Sequence, residues 1–137
     1  MPDFLKSMNH RDTEGHRDSL SEIVIGSAIE VHRHLGAGLL ESAYEECLCW
    51  ELQQRGVPVQ RQHPLPVNYK GQQLDCGYRI DLLVANRLVV ELKAVEQLLP
   101  IHEAQILSYL RLGGFDTGLL VNFHTTLLKN GIRRFKL

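Results

Sequence analysis

The pattern of apolar and polar positions is clearest from Tyr78 to Val95, where two runs rich in Ile, Leu and Val flank the polar link Ala85-Asn86-Arg87. Two such runs joined by a short polar link predict a pair of antiparallel strands. Side chains alternate between faces along a strand, so Glu91 and Lys93 share one face of the second run. A turn centred on the middle of the link places Asp81 directly opposite Glu91.

Helices and further strands are predicted around this hairpin. Short strand-prone pieces lie in residues 57–68, where prolines confine them to sheet edges or strand starts. Residues 117–123 predict a buried strand. Apolar stripes of helical period predict three helices, over residues 19–35, 39–55 and 101–112.

The first 18 residues differ from the rest, because they are polar and show no apolar period. They predict a flexible N-terminal arm over residues 1–18. Ser19 and Glu22 then form a candidate capping box that marks the start of the first helix. A chain of 137 residues with 44% hydrophobic content is long enough for one core. We therefore predict a single domain over residues 19–137.

Charge and cysteine content limit the class of protein. The net charge of −1 creates no overall field for nucleic acid, so any such binding must use a local patch. A small basic cluster lies in residues 127–137. The three cysteines form no CxxC, which indicates a reducing compartment and argues against a disulfide framework, a zinc site or a four-cysteine cluster. No segment resembles a membrane span or a signal peptide, so we expect a cytoplasmic protein without a membrane partner.

The candidate chemistry begins with Asp81 and Glu91. Directly opposed residues of paired strands have Cβ atoms about 4.5–5.5 Å apart, and like charges there are destabilising. A divalent cation such as Mg²⁺, which binds through one or two carboxylates, would neutralise the pair. Lys93 would then lie beside the metal and hold an attacking water or a phosphate oxygen. The alternative is a solvated sheet face on which Lys93 pairs with a carboxylate, but single charges among branched apolar residues favour a site.

The first two helices add further candidates. Glu41 and Glu45 are four residues apart and share a helix face. We expect Glu41 to point into the site and Glu45 into solvent, with a solvated acidic edge as the alternative. His32 lies on the apolar stripe of the first helix. It is either a hydrogen-bonded core residue or a metal or active-site residue.

The third helix carries a polar stripe formed by His102, Gln105 and Tyr109. If the helix packs against the hairpin, this stripe reaches a phosphate at the metal without supplying a ligand. The alternative is that Tyr109 is a packing residue and Gln105 its hydrogen-bond partner.

Three motifs occur in order along the chain. Before the hairpin come a glycine, a glutamate and a tyrosine at three-residue spacing. The hairpin carries an acidic residue and an ExK tripeptide, and a QxxxY motif follows it. This set resembles the PD-(D/E)xK nuclease superfamily, and specifically the small bacterial and archaeal GxxExxY family. The resemblance covers residues 19–134. The matching residues are Gly38, Glu41 and Tyr44, then Asp81, then Glu91-Leu92-Lys93, and finally Gln105 and Tyr109.

The resemblance implies an α/β (α+β) fold with a restriction-endonuclease-like core, a mixed central sheet of about four strands flanked by helices. It implies Mg²⁺ or Mn²⁺ held by Asp81, Glu91 and the Leu92 carbonyl, with Glu41 binding directly or through a water. Lys93 would orient the attacking water or help to deprotonate it. Gln105 and Tyr109 would position the scissile phosphate. One departure is that Ile80 stands where many members of the superfamily have proline.

These observations together predict a metal-dependent nuclease that hydrolyses phosphodiester bonds in DNA. The main alternative is a catalytically silent member of the same fold that binds nucleic acid or another protein, which the near-neutral charge favours. A third alternative is a hydrolase of a nucleotide or another small phosphate ester. The partner expected is nucleic acid, and a homodimer is compatible with the sequence.

Overall fold

The computed structural model describes residues 14–137, and their side chains from residue 19 onward. Most of the predicted arm, residues 1–13, lies outside the described residues. The first helix begins at Glu14, so Ser19 and Glu22 lie within it and the predicted capping box is wrong. An apolar stripe marks the part of a helix that packs on a core, and residues 14–18, which lack one, extend the same helix.

The helices are α1 (Glu14–Leu35), α2 (Glu41–Gln54) and α3 (Pro100–Gly113). The end of α1 and both ends of α2 and α3 lie within two residues of the prediction. Proline at the start of α3 fits the first helical turn, where an N–H is not needed. None of the helices in the described part of the chain is long and apolar enough to cross a membrane.

Among the described residues, five strands form one mixed sheet. They are β1 (Val59–Pro64), β4 (Arg79–Val84), β5 (Leu88–Lys93), β6 (Thr117–Asn122) and β7 (Ile132–Lys136). Two short strands, β2 (Val67–Tyr69) and β3 (Gln72–Leu74), form a separate ribbon. The spatial order in the main sheet is β1-β4-β5-β6-β7. Within it β5 and β6 run parallel, and the other neighbours are antiparallel.

A mixed sheet flanked by helices is the predicted architecture, with five strands in place of about four. The additional strand is β7, which follows a short 3₁₀ helix at Leu128–Gly131 and pairs with β6. Its side chains are half-buried or exposed, so it lacks the apolar run that marks a buried strand.

The β4–β5 hairpin has the predicted register, with Leu82 opposite Val90 and Val84 opposite Leu88. Its turn places Ala85 at φ 52° and Asn86 at φ 55°. Positive φ at both central residues is the backbone of the type I′ turn that suits the twist of paired strands.

Each face of the sheet covers its own apolar core. The core under α1 and α2 contains Val90 and Leu92, and Ala94 packs against it. The core under α3 contains Val89 together with Ile106 of that helix. Residues of β5 alternate between the two cores, so its polar residues after Val89 lie on the α3 side.

Candidate active site

Asp81 and Glu91 are joined across the β4–β5 hairpin by two hydrogen bonds. The Asp81 backbone N–H donates to Glu91 Oε2 at 2.8 Å, and the Leu92 backbone N–H donates to Asp81 Oδ2 at 2.9 Å. The backbone pairing of the two strands ends at Leu82 and Val90. Beyond this point the N–H groups of Asp81 and Leu92 donate to carboxylates in place of backbone carbonyls. The structure therefore brings the predicted carboxylate pair together.

Both carboxyl groups are held in an environment that disfavours their charge. Glu91 is only 3% exposed. Burial, followed by the charge of Asp81, raises the pKa of Glu91 from 4.5 to about 8. The pKa of Asp81 is also raised, mainly by burial, although its hydrogen bond from Leu92 opposes the shift. Lys93 lowers both pKa values, but burial outweighs it. Among the described residues, no lysine or arginine forms an ion pair with either carboxylate.

A chain of side-chain hydrogen bonds connects β5 with α3. Lys93 Nζ donates to Gln105 Oε1 at 3.2 Å, and Gln105 Nε2 donates to Tyr109 Oη at 3.2 Å. Burial and the nearby Glu91 charge raise the pKa of Tyr109, so its hydroxyl stays protonated over the physiological range. The polar stripe of α3 faces the Lys93 side of the sheet, as the sequence predicts.

The loop between α1 and α2 is fixed by Tyr44. Its hydroxyl donates to the Gly36 carbonyl at 2.6 Å and accepts the Leu39 N–H at 3.1 Å. Its ring stacks on Phe123 with centroids 4.3 Å apart. Gly38 lies in this loop at φ 98°, a conformation that other residues rarely adopt. The glycine and the tyrosine of the GxxExxY motif therefore shape the turn that leads into α2.

Glu41, the acidic residue of that motif, is the first residue of α2. Its Oε2 accepts the backbone N–H of Ala94 at 3.3 Å, directly after the end of β5. The structure thus brings Glu41 to the segment that carries Lys93. Its hydrogen bond there is to the backbone of this segment.

Glu45 is a functional candidate that the sequence analysis missed. It was expected in solvent, and the structure shows this to be wrong, because Glu45 is only 7% exposed. Arg61 Nε donates to its Oε2 at 3.1 Å and Gln62 Nε2 donates to its Oε1 at 2.7 Å. Its charge also raises the pKa of Asp81. The burial results from the packing of α2 on β1, whose polar residues supply the donors.

Gln62 links Glu45 to the carboxylate pair, since its Nε2 also lies 3.4 Å from Asp81 Oδ1. Its backbone has φ 52°, in the left-handed region. The β1–β4 ladder pairs Arg61 with Leu82 and His63 with Ile80, and it omits Gln62 between them. Strained backbone of this kind concentrates at functional sites. Here it lies directly beside Asp81.

Asn122 fixes the chain on the other side of the site. Its Oδ1 accepts the Val95 N–H at 3.0 Å and its Nδ2 donates to the Val95 carbonyl at 2.8 Å. The Phe123 N–H donates to the Lys93 carbonyl at 2.8 Å. The end of β5 is therefore held by backbone and amide hydrogen bonds from β6. Sequence reasoning assigned Asn122 no role, because an asparagine at a strand end carries no distinctive pattern.

A sequence model of the PD-(D/E)XK nuclease superfamily matches residues 18–135. The chain belongs to this superfamily. No curated protein and no solved structure matches the chain. The mixed sheet with its flanking helices is accordingly a restriction-endonuclease-like fold. The hairpin residues Asp81 and Glu91, whose geometry is given above, lie within the matched range.

Members of the superfamily typically use divalent metals, and the donor set here fits a hard cation in part. Mg²⁺ and Mn²⁺ are bound through carboxylates and carbonyl oxygens, and Mg²⁺ needs only one or two carboxylates. Asp81 and Glu91 supply two carboxylates, in a place where desolvation disfavours their negative charge. Among the residues with described side chains, no three His, Cys, Asp or Glu are grouped closely enough to hold a metal ion. Glu41 thus lies outside a direct three-carboxylate cluster.

His32 lies elsewhere. Its Nε2 is 2.8 Å from the Thr125 carbonyl, and its ring centroid is 6.3 Å from that of Phe123. The structure gives His32 the hydrogen-bonded packing role that was the alternative to metal binding. No contact joins it to the carboxylate pair among the described interactions.

Proposed function

We propose that the protein is a metal-dependent nuclease of the GxxExxY type that hydrolyses phosphodiester bonds in DNA. The observation that carries the proposal is the proximity of two sets of polar side chains. The paired carboxylates of the hairpin lie next to the hydrogen-bonded chain Lys93–Gln105–Tyr109 of β5 and α3. A fold that served only as a binding module would have no use for two adjacent carboxyl groups whose charge is disfavoured by desolvation.

The residues that would hold Mg²⁺ or Mn²⁺ are Asp81, Glu91 and the Leu92 carbonyl, with Glu41 joining through a water. A bound metal supplies a nucleophile at neutral pH and neutralises charge on the transferred phosphoryl group. The protein's own residues supply the orientation. Leu92 N–H and Asp81 N–H hold the two carboxylates in place, so their donor oxygens are fixed before the metal binds.

Lys93 acts on the water and the phosphate. Its ammonium group is held by Gln105 Oε1, which leaves its other two protons for the attacking water or a phosphate oxygen. The Tyr109 hydroxyl, which accepts from Gln105, is a donor for a phosphate oxygen. Donors aimed at the charge that develops in the transition state are a large part of catalysis.

The deciding experiment is incubation of the protein with single- and double-stranded DNA in Mg²⁺, Mn²⁺ or EDTA. We expect cleavage that needs metal, and its loss in Lys93→Ala. Titration calorimetry should show that Lys93→Ala still binds Mn²⁺, because the lysine serves the water and not the ion. Lys129→Ala, at an exposed lysine of the 3₁₀ helix, is the matched control and should cleave normally.

Absence of cleavage with every metal, together with retained DNA binding, would favour the catalytically silent module. Equal Mn²⁺ affinity in wild type and Asp81→Ala would show that the metal site is assigned to the wrong residues. We also propose that the protein acts in the cytoplasm, since the free thiols Cys47, Cys49 and Cys76 suit a reducing compartment. That two copies associate into a homodimer is a separate prediction, which light scattering would check.

A further inference from the structure

A cleft of about 620 Å³ opens beside Lys93, between α3 and the segment that leads into β4. One end is formed by the active-site residues Lys93, Gln105 and Tyr109. The remainder includes Tyr78, Ile101 and Leu112. The cleft is thus continuous with the place where the proposed nuclease would hold its phosphate, and its volume lies within the usual range for ligand sites.

The far part of the cleft is aromatic and apolar, and it is open to solvent. Tyr78 is 46% exposed and Ile101 is 68% exposed. The Tyr78 and Tyr109 rings meet edge to face, with centroids 6.0 Å apart and planes at 63°. In this arrangement one ring presents its edge to the other, so the pair leaves aromatic surface for a third ring. Tyr109 is only 7% exposed, so the aromatic surface open to a third ring is that of Tyr78. An exposed aromatic face next to a phosphate site is what an unpaired base stacks on.

The polar groups of the cleft suit a neutral ring better than a charged ligand. No aspartate or glutamate is among the described residues that line it, and Lys93 is the single lysine or arginine among them. His102 Nδ1 accepts the Leu99 N–H at 3.0 Å, which leaves the proton of the neutral imidazole on Nε2. A donor of this kind matches the acceptor atoms on a base edge.

The surface charge points the same way. Duplex DNA is bound mainly through phosphate contacts from lysine and arginine. In this protein many arginines are engaged with carboxylates, namely Arg33, Arg55, Arg61, Arg79, Arg133 and Arg134. With a net charge of −1, the protein has no overall positive field to attract a duplex backbone. A strand whose bases are unpaired offers stacking in place of phosphate contacts.

We propose that this cleft binds one unpaired nucleobase next to the phosphate at Lys93, so that the substrate of the enzyme is single-stranded DNA. This inference rests on the proposed nuclease function. Tyr78 supplies the stacking surface, the Tyr109 hydroxyl lies beside the phosphate, and His102 donates to the base edge. Duplex DNA, whose bases are already stacked and paired, cannot fill the cleft without extruding a base.

The first test measures binding without cleavage, in a Glu91→Gln background that removes the buried carboxylate. The probe is a single-stranded DNA oligonucleotide with one 2-aminopurine, a fluorescent base that is quenched on stacking. We expect quenching and tight binding in this background. Adding Tyr78→Leu should abolish the quenching and weaken binding about 5- to 150-fold, which corresponds to the loss of one base–aromatic stack of 1–3 kcal/mol. Tyr78→Phe should retain both.

Trp50→Ala is the matched control, because Trp50 is an exposed aromatic residue at 58% that does not line this cleft. It should bind as the background does. Unchanged binding in Tyr78→Leu, or an equal loss in Trp50→Ala, would overturn the proposal. Circular dichroism of each variant would show whether it is folded. Tyr78→Leu keeps an apolar side chain, and Tyr78→Phe keeps the ring. Comparison of the two variants therefore distinguishes a loss of stacking from a loss of packing.

The second test compares cleavage of single-stranded and blunt duplex DNA by the wild type in Mn²⁺. Preference for the single strand, lost in Tyr78→Leu, supports the cleft as a base site. Equal cleavage of both would overturn it and leave the nuclease function standing. Tyr78-dependent binding with no cleavage of any DNA would instead support the base site and refute the nuclease function.

Discussion

Glu91 is a carboxyl group that the fold buries, and the nearby Lys93 offsets only part of the cost of burying its charge. Its Oε2 accepts one backbone hydrogen bond, from Asp81, and this bond only partly offsets the loss of hydration. A buried acid in this position is more stable protonated, so its pKa is raised to about 8. A cation is the partner that would reverse this preference.

The pKa of Glu91 predicts the pH dependence of stability without metal. The folded pKa of about 8 exceeds the value of 4.5 for an unperturbed glutamate. The group's contribution is therefore fully present below pH 4.5 and is lost as the pH rises towards about 8. Thermal unfolding in EDTA should show a falling Tm across this window. Glu91→Gln should flatten the curve, with a residual slope from Asp81, whose raised pKa acts in the same direction.

Metal should counteract this loss. Mn²⁺ binds the deprotonated carboxylate, so the rise in Tm that it causes should grow with pH up to about 8. A Tm that is independent of pH in EDTA, or a metal effect that declines over the same window, would contradict the assignment. Glu46→Gln, at an exposed glutamate of α2, is the control and should leave both curves unchanged.

Gln105 tests the role of the α3 stripe at the level of a single contact. It holds Lys93 with one amide atom and Tyr109 with the other, so Gln105→Ala frees both side chains. Loss of one positioned donor costs ~10²–10³ in rate in other enzymes, and an indirect contact should cost less. Single-turnover cleavage should slow while Mn²⁺ affinity stays the same. Full activity would make Gln105 a packing residue, and lost metal binding would place it next to the ion.

At the scale of elements, the sequence predicts best where one local pattern decides the structure. The β4–β5 hairpin and its register follow from alternating residues and a turn that tolerates positive φ at Asn86. The polar stripe of α3 follows from its helical period. The burial of Glu45 could not be predicted in this way, because its partners Arg61 and Gln62 come from a different element. Strand β7 was missed for a similar reason, since only its pairing with β6 defines it.

The α1–α2 loop gives a prediction at this scale. In Tyr44→Phe the Gly36 carbonyl and the Leu39 N–H each lose their hydroxyl partner. Leu39 is 42% exposed, so water can replace part of the lost contact, and a typical hydrogen bond contributes about 0.5–1.5 kcal/mol. Urea unfolding should therefore show a loss of about 0.5–1.5 kcal/mol, with the Phe123 stack retained. Tyr69→Phe, at a tyrosine that is 58% exposed, should change stability by less than ~0.5 kcal/mol. Equal effects in the two variants would mean that the hydroxyl of Tyr44 does not hold the loop.

For the whole molecule, the distribution of charge matters more than its sum. Most of the described arginines lie in ion pairs with carboxylates, and some of these pairs join different elements, such as Arg133 with Glu103 and Arg134 with Glu22. Exposed pairs of this kind add little stability. Their effect on function is larger, because each paired arginine is partly withdrawn from phosphate binding. The protein should consequently bind DNA with few phosphate contacts and a shallow dependence on salt.

Glu103→Gln tests this account directly. Glu103 is on α3 next to His102, and its removal frees Arg133 of β7, which pairs with Leu120 on the α3 side of the sheet. We expect tighter binding of single-stranded DNA in low salt. The slope of log K against log salt should become steeper by about 0.7, the value for one added phosphate contact on a single strand. Fluorescence anisotropy over a range of salt concentrations measures both quantities.

Glu51→Gln is the matched control, because it frees Arg55 from a similar pair at the far end of α2. The helix begins at Glu41, beside the site, and rises by about 1.5 Å per residue, so Arg55 is about 20 Å away along its axis. The control should leave the slope unchanged. If both variants steepen the slope equally, DNA is held by general surface charge and not at the cleft. If neither does, Arg133 does not face the bound strand, and the path of the DNA must leave the site in another direction.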